Sequence, residues 1–330
     1  MDTANSNLQL RALHATDLDR VIAIDTAVTG RSRRGFFEKR LEAALRDPHH
    51  FVYTGCSDAN GLHGFMMCRL LEGEFGGRAA MAVMDTMGVD PARQGQGIGR
   101  ALLQTTDQVL RHKGVVELHT QADWRNASVL PFFGASGFLL APRYVLEREA
   151  DPRSIELPPR TEPEASPETN YSDPGRDDYT ALSRDRIPCR SLERKDLAAL
   201  VRIDRKLLGR DRSQYYERKL AEAMDESGIR VSMVAEIDGS VAGFIMARVD
   251  FGEFGRAEPF AVLDTMSVEP DRQHLRVATA LLSQLPANLT TLRVEHLRTE
   301  AAFDQHGLFA FLWRCGFRPA QQLAFCRTLG

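Results

Sequence analysis

The sequence predicts an α/β (α+β) chain of two tandem domains, each a mixed, largely antiparallel sheet with helices on both faces. Three observations carry this. First, the 330 residues repeat: a shift of 179 positions pairs residues 11–138 with 190–317 without a gap, and 41 of the 128 pairs are identical. A match this long without a gap is a duplicated domain, because a chance periodicity drifts out of register. Second, each repeat passes through apolar periods of two and of 3.6 in the order β-α-α-β-β-β-α-β-α-β. Third, residues 150–187 show neither period and are rich in Pro, Glu, Ser and Asp, the composition of an extended linker. The boundaries that follow are a first domain at 1–149, a linker at 150–187 and a second domain at 188–330.

The elements of the first repeat come in order. "LQLRALH" alternates as a strand, and "ATDLDRVIAIDTAV" follows with Leu18, Val21, Ile22 and Ile24 at helical spacing behind a Thr16 cap. "FFEKRLEAALRD" reads as a second helix with Phe37, Leu41 and Leu45 on one face. "HFVYTGC", "LHGFMMCRLLEGEF" and "RAAMAVMDTMGV" are three strands separated by turn residues, hence antiparallel neighbours. A helix from Gly97 to Lys113 has the stripe Ile98, Leu102, Leu103, Thr106, Val109, Leu110, and Gly114 ends it. "VVELHTQA" is a strand, and a short helix ending at Ser136 accepts Pro131 if it starts near Ser128. "GFLLAPRYVLERE" supplies one or two last strands.

Composition narrows the partners. Forty-two basic against 45 acidic residues leave a net charge of −3, no case for nucleic acid or an anionic membrane. Five cysteines, odd in number and without CxxC spacing, fit a reducing compartment and give no disulfide frame or metal site. No secretory leader is visible at "MDTANSNLQLRAL", and no apolar run approaches the ~20 residues that span a bilayer. The expectation is a cytoplasmic protein.

The chemistry concentrates where the strand ending at Val89 meets the helix after Gly97. A helix start leaves backbone N–H groups without partners and carries partial positive charge, so it attracts phosphate. Glycines at 95, 97 and 99 let the backbone approach an anion closely. The spacing is neither the dinucleotide fingerprint, since Arg100 stands where its third glycine belongs, nor a Walker loop, which lacks its Gly-Lys-Ser/Thr here. It reads Gln94-x-x-Gly97-x-Gly99 after Val-Asp-Pro.

On these residues the chain resembles the GNAT superfamily of N-acetyltransferases, whose pyrophosphate loop follows Q/R-x-x-G-x-G/A at this junction. The strand order matches as well. Asn126 and the "FFGASGF" ending in Gly137-Phe138 parallel the superfamily's downstream block. The resemblance covers most of residues 8–149, and 188–330 in weaker form. It implies acetyl-CoA as co-substrate, with no metal. The cofactor would contact Met87, Gly88 and Val89 of the strand, then Gln94, Gly95, Gln96, Gly97, Ile98, Gly99 and Arg100, with Asn126 and Phe133 downstream. A backbone N–H of Gly88 or Val89 would serve the oxyanion. The tyrosine that family members use to protonate the thiolate is replaced by Phe133; Tyr144 is the nearest downstream phenol, and solvent is the other source.

Acetyl transfer to an amine needs a base for the ammonium proton. Asp85 lies four residues before Val89, so a period of two puts both on one face with Val83 and Met87, where a carboxylate in an apolar strand acquires a raised pKa. Glu74, in the "GEFG" turn, is the other candidate. Both recur, as Asp264 and Glu253, which fits a structural role equally. Gln121 could orient substrate or water. Arg31 and Arg33, echoed by Arg210 and Arg212, could fork onto an acidic group of the acceptor or pair with Asp25, Asp85 or Glu74 inside the domain.

In the second repeat the glycine positions hold His274, Arg276 and Ala278. Side-chain bulk there blocks the close backbone contact that pyrophosphate needs. The expected function is an acetyl-CoA-dependent N-acetyltransferase for a small-molecule or peptide amine. Its first domain would be catalytic and its second a degenerate partner, the two forming an intramolecular pseudo-dimer. A protein that senses acetyl-CoA without turnover is the alternative.

Overall fold

The computed structural model describes residues 8–71, 80–150, 187–226, 230–251 and 258–329. The predicted linker, apart from its ends, and the two "GEFG" turns lie outside them. Two compact units result. One comprises Met1–Pro142 with Asp250–Pro259 and Gln321–Gly330; the other comprises Arg143–Val249 with Phe260–Ala320.

In the N-terminal unit β1 (Gln9–Ala12) precedes α1 (Leu18–Thr29) and α2 (Arg34–Arg46). Strands β2 (Phe51–Asp58), β3 (Gly61–Leu71) and β4 (Met81–Val89) follow. Then come α3 (Ile98–His112), β5 (Glu117–Asp123), α4 (Val129–Ala135) and β6 (Leu139–Leu140). Next in the chain is β7 (Arg143–Glu149). The second repeat supplies β8 (Cys189–Ser191), α5 (Leu197–Leu208), α6 (Ser213–Ala221), β9 (Met233–Ile237) and β10 (Ser240–Phe251). It continues with β11 (Pro259–Val268), α7 (Val277–Thr291), β12 (His296–Ala302), α8 (His306–Arg314), β13 (Arg318–Pro319) and β14 (Gln322–Thr328).

Each unit is the mixed sheet with helices that the apolar periods predict. The strand orders are β1-β2-β3-β4-β5-β14-β6 and β13-β7-β12-β11-β10-β9-β8. One feature departs from the repeat boundary at residue 149: the last long strand of each repeat completes the other unit's sheet. β14 pairs with β5 from Gln322 opposite Asp123 to Thr328 opposite Glu117. β7 pairs with β12 from Arg143 opposite Ala302 to Glu149 opposite His296. Unit 1 therefore takes Phe325 and Leu329 into the core under α3, beside Leu102, Leu110 and Phe133. On the other face of that sheet Val21, Ile24, Phe37 and Leu41 of α1 and α2 close over Phe65 and Met67.

Local corrections are few. Asp17 rather than Thr16 holds the N-cap position of α1; its carboxylate makes no cap bond to the helix but accepts from His14 N at 2.8 Å and pairs with Arg11 at 2.7 Å. Leu45 and Val109, placed in buried stripes, are exposed, while Phe36 is buried. Ser128 is the cap of α4, so Pro131 sits in its first turn. No described helix is long and apolar enough to cross a membrane.

Candidate active site

The parallel pair β4–β5 holds register from Met81 opposite Glu117 to Val83 opposite His119. Thr120 Oγ1 donates to Met84 O at 3.0 Å just beyond it, where the backbone pairing of the two strands has ended. On its other edge β4 stays paired with β3 up to Val89, and Asp90 N donates to His63 O at 2.8 Å. Alternation along an antiparallel pair therefore turns the N–H of Val89 away from β3, into the gap beside β5. That singles out Val89, of the two donors the resemblance implies, as the one facing the gap. Gln94 Nε2 donates to Val89 O at 3.2 Å and ties the loop to this strand end.

The loop itself has the conformation the glycines allow. Gly95 and Gly97 sit at φ 76° and 83°, a left-handed region unfavourable to side chains, and a Cβ at either would meet no atom within 4 Å. The space in front of the loop is open. Gly97 caps α3, whose first internal bond is Ala101 N to Gly97 O at 3.0 Å. The N–H groups of Ile98, Gly99 and Arg100 thus have no acceptor within the helix, and its positive end faces the same open space. A Cβ at Gly99 would lie 3.3 Å from the Phe132 ring and 3.4 Å from Met87 Cε. Phe132, missed by the sequence reading, is the ring against the start of α3. Phe133 is turned into the core against Phe138 and Phe325, with centroids at 5.1 and 5.3 Å. A helix with aromatic residues at adjacent positions puts one on each side, and the spacing to Gly137 alone cannot choose. Asn126 caps the turn into α4: its Oδ1 accepts from Ser128 Oγ at 2.7 Å and from Val129 N at 3.3 Å.

Asp85 does not share a face with Val89. Met67 stands opposite Thr86 and Cys68 opposite Met84, so Asp85 is the extra residue of a β-bulge. One inserted residue reverses the alternation. Met84, Met87 and Val89 lie on the α3 side, and Asp85 reaches Arg69 at 2.9 Å and Arg40 of α2 at 3.8 Å. Its exposure is 0%. The second repeat rebuilds this cluster with Asp264, Arg248 and Lys219. Arg33 is likewise buried: it forks onto Asp25, with Nε at 2.8 Å, donates to Thr86 Oγ1 at 3.1 Å, and stacks on Phe36 and Phe37. Arg212 and Asp204 repeat that pair at 3.0 Å. A guanidinium so held is a strut between α1, α2 and β4, which removes Arg33 from the substrate-binding set.

Arg31 is exposed, and its one ion pair among the described residues, with Glu258 at 2.8 Å, joins side chains that are 67% and 63% exposed. Gln121 lies on β5 opposite Ala324 of β14. Tyr144 lies on β7, in the sheet of the C-terminal unit, with its ring 4.5 Å from Phe303 and 4.8 Å from Phe309. The corresponding position of β14 in the N-terminal unit is Leu323, so the exchange of strands takes the phenol out of the loop's own unit. Glu74 lies outside the described residues.

In the C-terminal unit the same backbone recurs with different side chains. Arg276 caps α7 at φ 62°, ψ 21°, where Gly97 caps α3 at φ 83°, ψ −1°.

A model of the acetyltransferase (GNAT) family matches residues 18–138 and again residues 197–317. No curated protein matched the sequence. Among solved structures, a tandem GNAT protein from the clavulanic acid biosynthesis pathway is 16% identical, with 98% of this chain and 99% of that one covered at a TM-score of 0.63. A GCN5-related N-acetyltransferase from Sphaerobacter thermophilus is 15% identical over 99% and 97% of the two chains, with a TM-score of 0.56. Another from Kribbella flavida is 15% identical over 98% of this chain and 71% of that chain, with a TM-score of 0.53. At such identities these likenesses speak for the fold of two tandem domains.

Proposed function

The protein belongs to the acetyltransferase (GNAT) family, and from that premise we propose that its N-terminal unit acetylates a primary amine of a small-molecule or peptide acceptor. The observation that carries this reading is the loop Gln94–Gly99: two left-handed glycines with open space before them, at the head of a 15-residue helix and beside a strand pair that parts. Bound acetyl-CoA would supply a thioester. The N–H groups of Ile98, Gly99 and Arg100 would hold its pyrophosphate, and Val89 N–H, facing the gap, would stabilise the oxyanion. Open space at Gly95 and Gly97 fits such an anion.

The amine must lose a proton to attack. Burial of Asp85 between two arginines, and its recurrence with partners in the other repeat, favour an architectural role for it. Glu74 is then our preferred base. With Phe133 in the core and Tyr144 in the other unit, we assign protonation of the thiolate to solvent. Arg31, held by one exposed ion pair worth about 0–1 kcal/mol, can exchange Glu258 for an acidic group on the acceptor. The second repeat, besides its changed loop, supplies β14 to the catalytic unit.

Release of free CoA thiol with a panel of amines tests the activity, and loss of both binding and release in Gly97→Arg tests the site. Absence of the family's tyrosine gives one alternative substance: acetyl-CoA binding without thiol release from any amine would make this a sensor.

A further inference from the structure

The repeat register extends to the exchanged strands. Arg148 of β7 corresponds to Arg327 of β14, 179 positions on. In the N-terminal unit Arg327 pairs with Asp107 of α3 at 2.6 Å. The position of Asp107 in the second repeat is Pro286, inside α7. The arginine recurs; the carboxylate does not.

Arg148 is 5% exposed, and its Nε has no hydrogen-bond partner. Its guanidinium donates to Leu282 O at 3.5 Å. Proline has no N–H, so Pro286 leaves that carbonyl without its helical donor, and Arg148 partly takes the vacant place. A carbonyl does not neutralise a cation, however. No carboxylate is paired with Arg148 among the described residues, and burial pulls it down to about 10 from the ordinary arginine range. Its neighbour Cys315 is pushed up to about 11 by burial, so that thiol stays neutral and offers no counter-charge. A buried charge without a partner is expensive, and proteins keep one where a ligand answers it.

Arg148 lines a cavity of about 770 Å³ within the C-terminal unit. The cavity reaches from Gln273, His274 and Arg276, at the head of α7, to Arg314 on α8. Three arginines and a helix N-terminus thus border one space large enough for a metabolite. Arg276 is itself held at φ 62°, a conformation strained for a non-glycine residue and found in clusters at ligand sites.

We propose that this cavity binds a small oxyanion ligand, a carboxylate or phosphate ester other than acetyl-CoA, with Arg148 as its buried anchor. The planar fork of arginine suits either oxyanion bidentately. The site is independent of catalysis in the N-terminal unit, so its test is run with that unit saturated by acetyl-CoA.

The full-length protein is titrated with inorganic phosphate in one arm and malonate in the other, followed by thermal shift and calorimetry. At least one arm should show saturable binding, and the arm that does names the headgroup. Arg148→Met, which keeps buried volume and removes charge, should weaken that binding by about tenfold or more, the range for a charged hydrogen-bonded anchor. Without anion it should melt no lower than the parent, as removal of an unpaired buried charge allows. Pro286→Asp restores the partner seen in the other unit and should abolish anion binding, whereas Pro286→Ala should retain it. The proposal falls if neither anion binds saturably, if the Arg148→Met and Pro286→Asp proteins bind as the parent does, or if calorimetry gives two acetyl-CoA per chain.

Discussion

The two loops at Gln94–Gly99 and Gln273–Ala278 differ in chemistry far more than in shape. Both follow a proline-initiated 3-10 turn, and both cap a 15-residue helix with a left-handed residue. In one the cap is glycine with open space before it; in the other it is arginine, which lines the cavity at the head of α7. The path of the backbone is therefore set by what it joins: strand β4 or β11 on one side and the helix on the other. The left-handed cap holds either glycine or arginine, so the turn by itself does not demand glycine.

The strongest way to break the comparison is to separate the units. A chain ending at residue 149 lacks β14, and with it Phe325, Leu329 and the partner of Asp107. It should be insoluble or molten by near-ultraviolet circular dichroism. Residues 1–142 joined by a short flexible linker to 321–330 should fold better, because Ala141 N already donates to Ala324 O at 2.9 Å.

Gly97→Arg writes the second loop into the first. Calorimetry on the parent should give one acetyl-CoA per chain, and the variant should lose it by more than a hundredfold. Its melting temperature should fall by no more than a left-handed arginine demands, about 1–3 kcal/mol. A stoichiometry of two, or binding that survives, refutes the assignment.

Asp85→Asn and Glu74→Gln separate strut from base. The first should remove on the order of 3 kcal/mol of stability in urea titrations, because two buried or half-buried arginines lose their counter-charge. The second should leave stability alone and lower kcat by about 10²–10⁴, the worth of a general base. Equal melting of the Asp85 variant with a collapsed kcat would reverse the roles.

Arg276→Gly should stabilise the protein by about 0.5–1 kcal/mol by relieving the left-handed arginine, measured as a shift in urea midpoint.

The smallest effect concerns pH. The hydrogen bond from Arg11 holds Asp17 below the ordinary carboxylate range, against some burial that raises it. A depressed native pKa gives stability that is present above the unfolded value near 3.9 and is lost as pH falls through the native one. The melting difference between the parent and Asp17→Asn should hold from neutral pH to about 5 and shrink below 4.

Most of the fold was legible because the apolar periods and the gapless repeat each named the same elements. The conformation of the Gln94–Gly99 loop was legible because glycines at 95, 97 and 99 answer to positive φ or close approach. Three things were hidden. A strand with a period of two does not say which sheet edge it joins, so the exchange of β7 and β14 left no trace in the pattern. One bulged residue at Asp85 turned a carboxylate to the opposite face. And the unpaired Arg148 became visible once Pro286 was known to face it from the neighbouring helix.

The exchanged strands also bear on how such a chain ages. Each half carries a strand that completes the other's sheet, so deletion of either half after duplication takes a strand from the one that remains. Selection that keeps the sheet of either half then preserves a strand of the other as a by-product. The loop Gln273–Ala278 lies outside those exchanged strands, so its side chains can change without disturbing them.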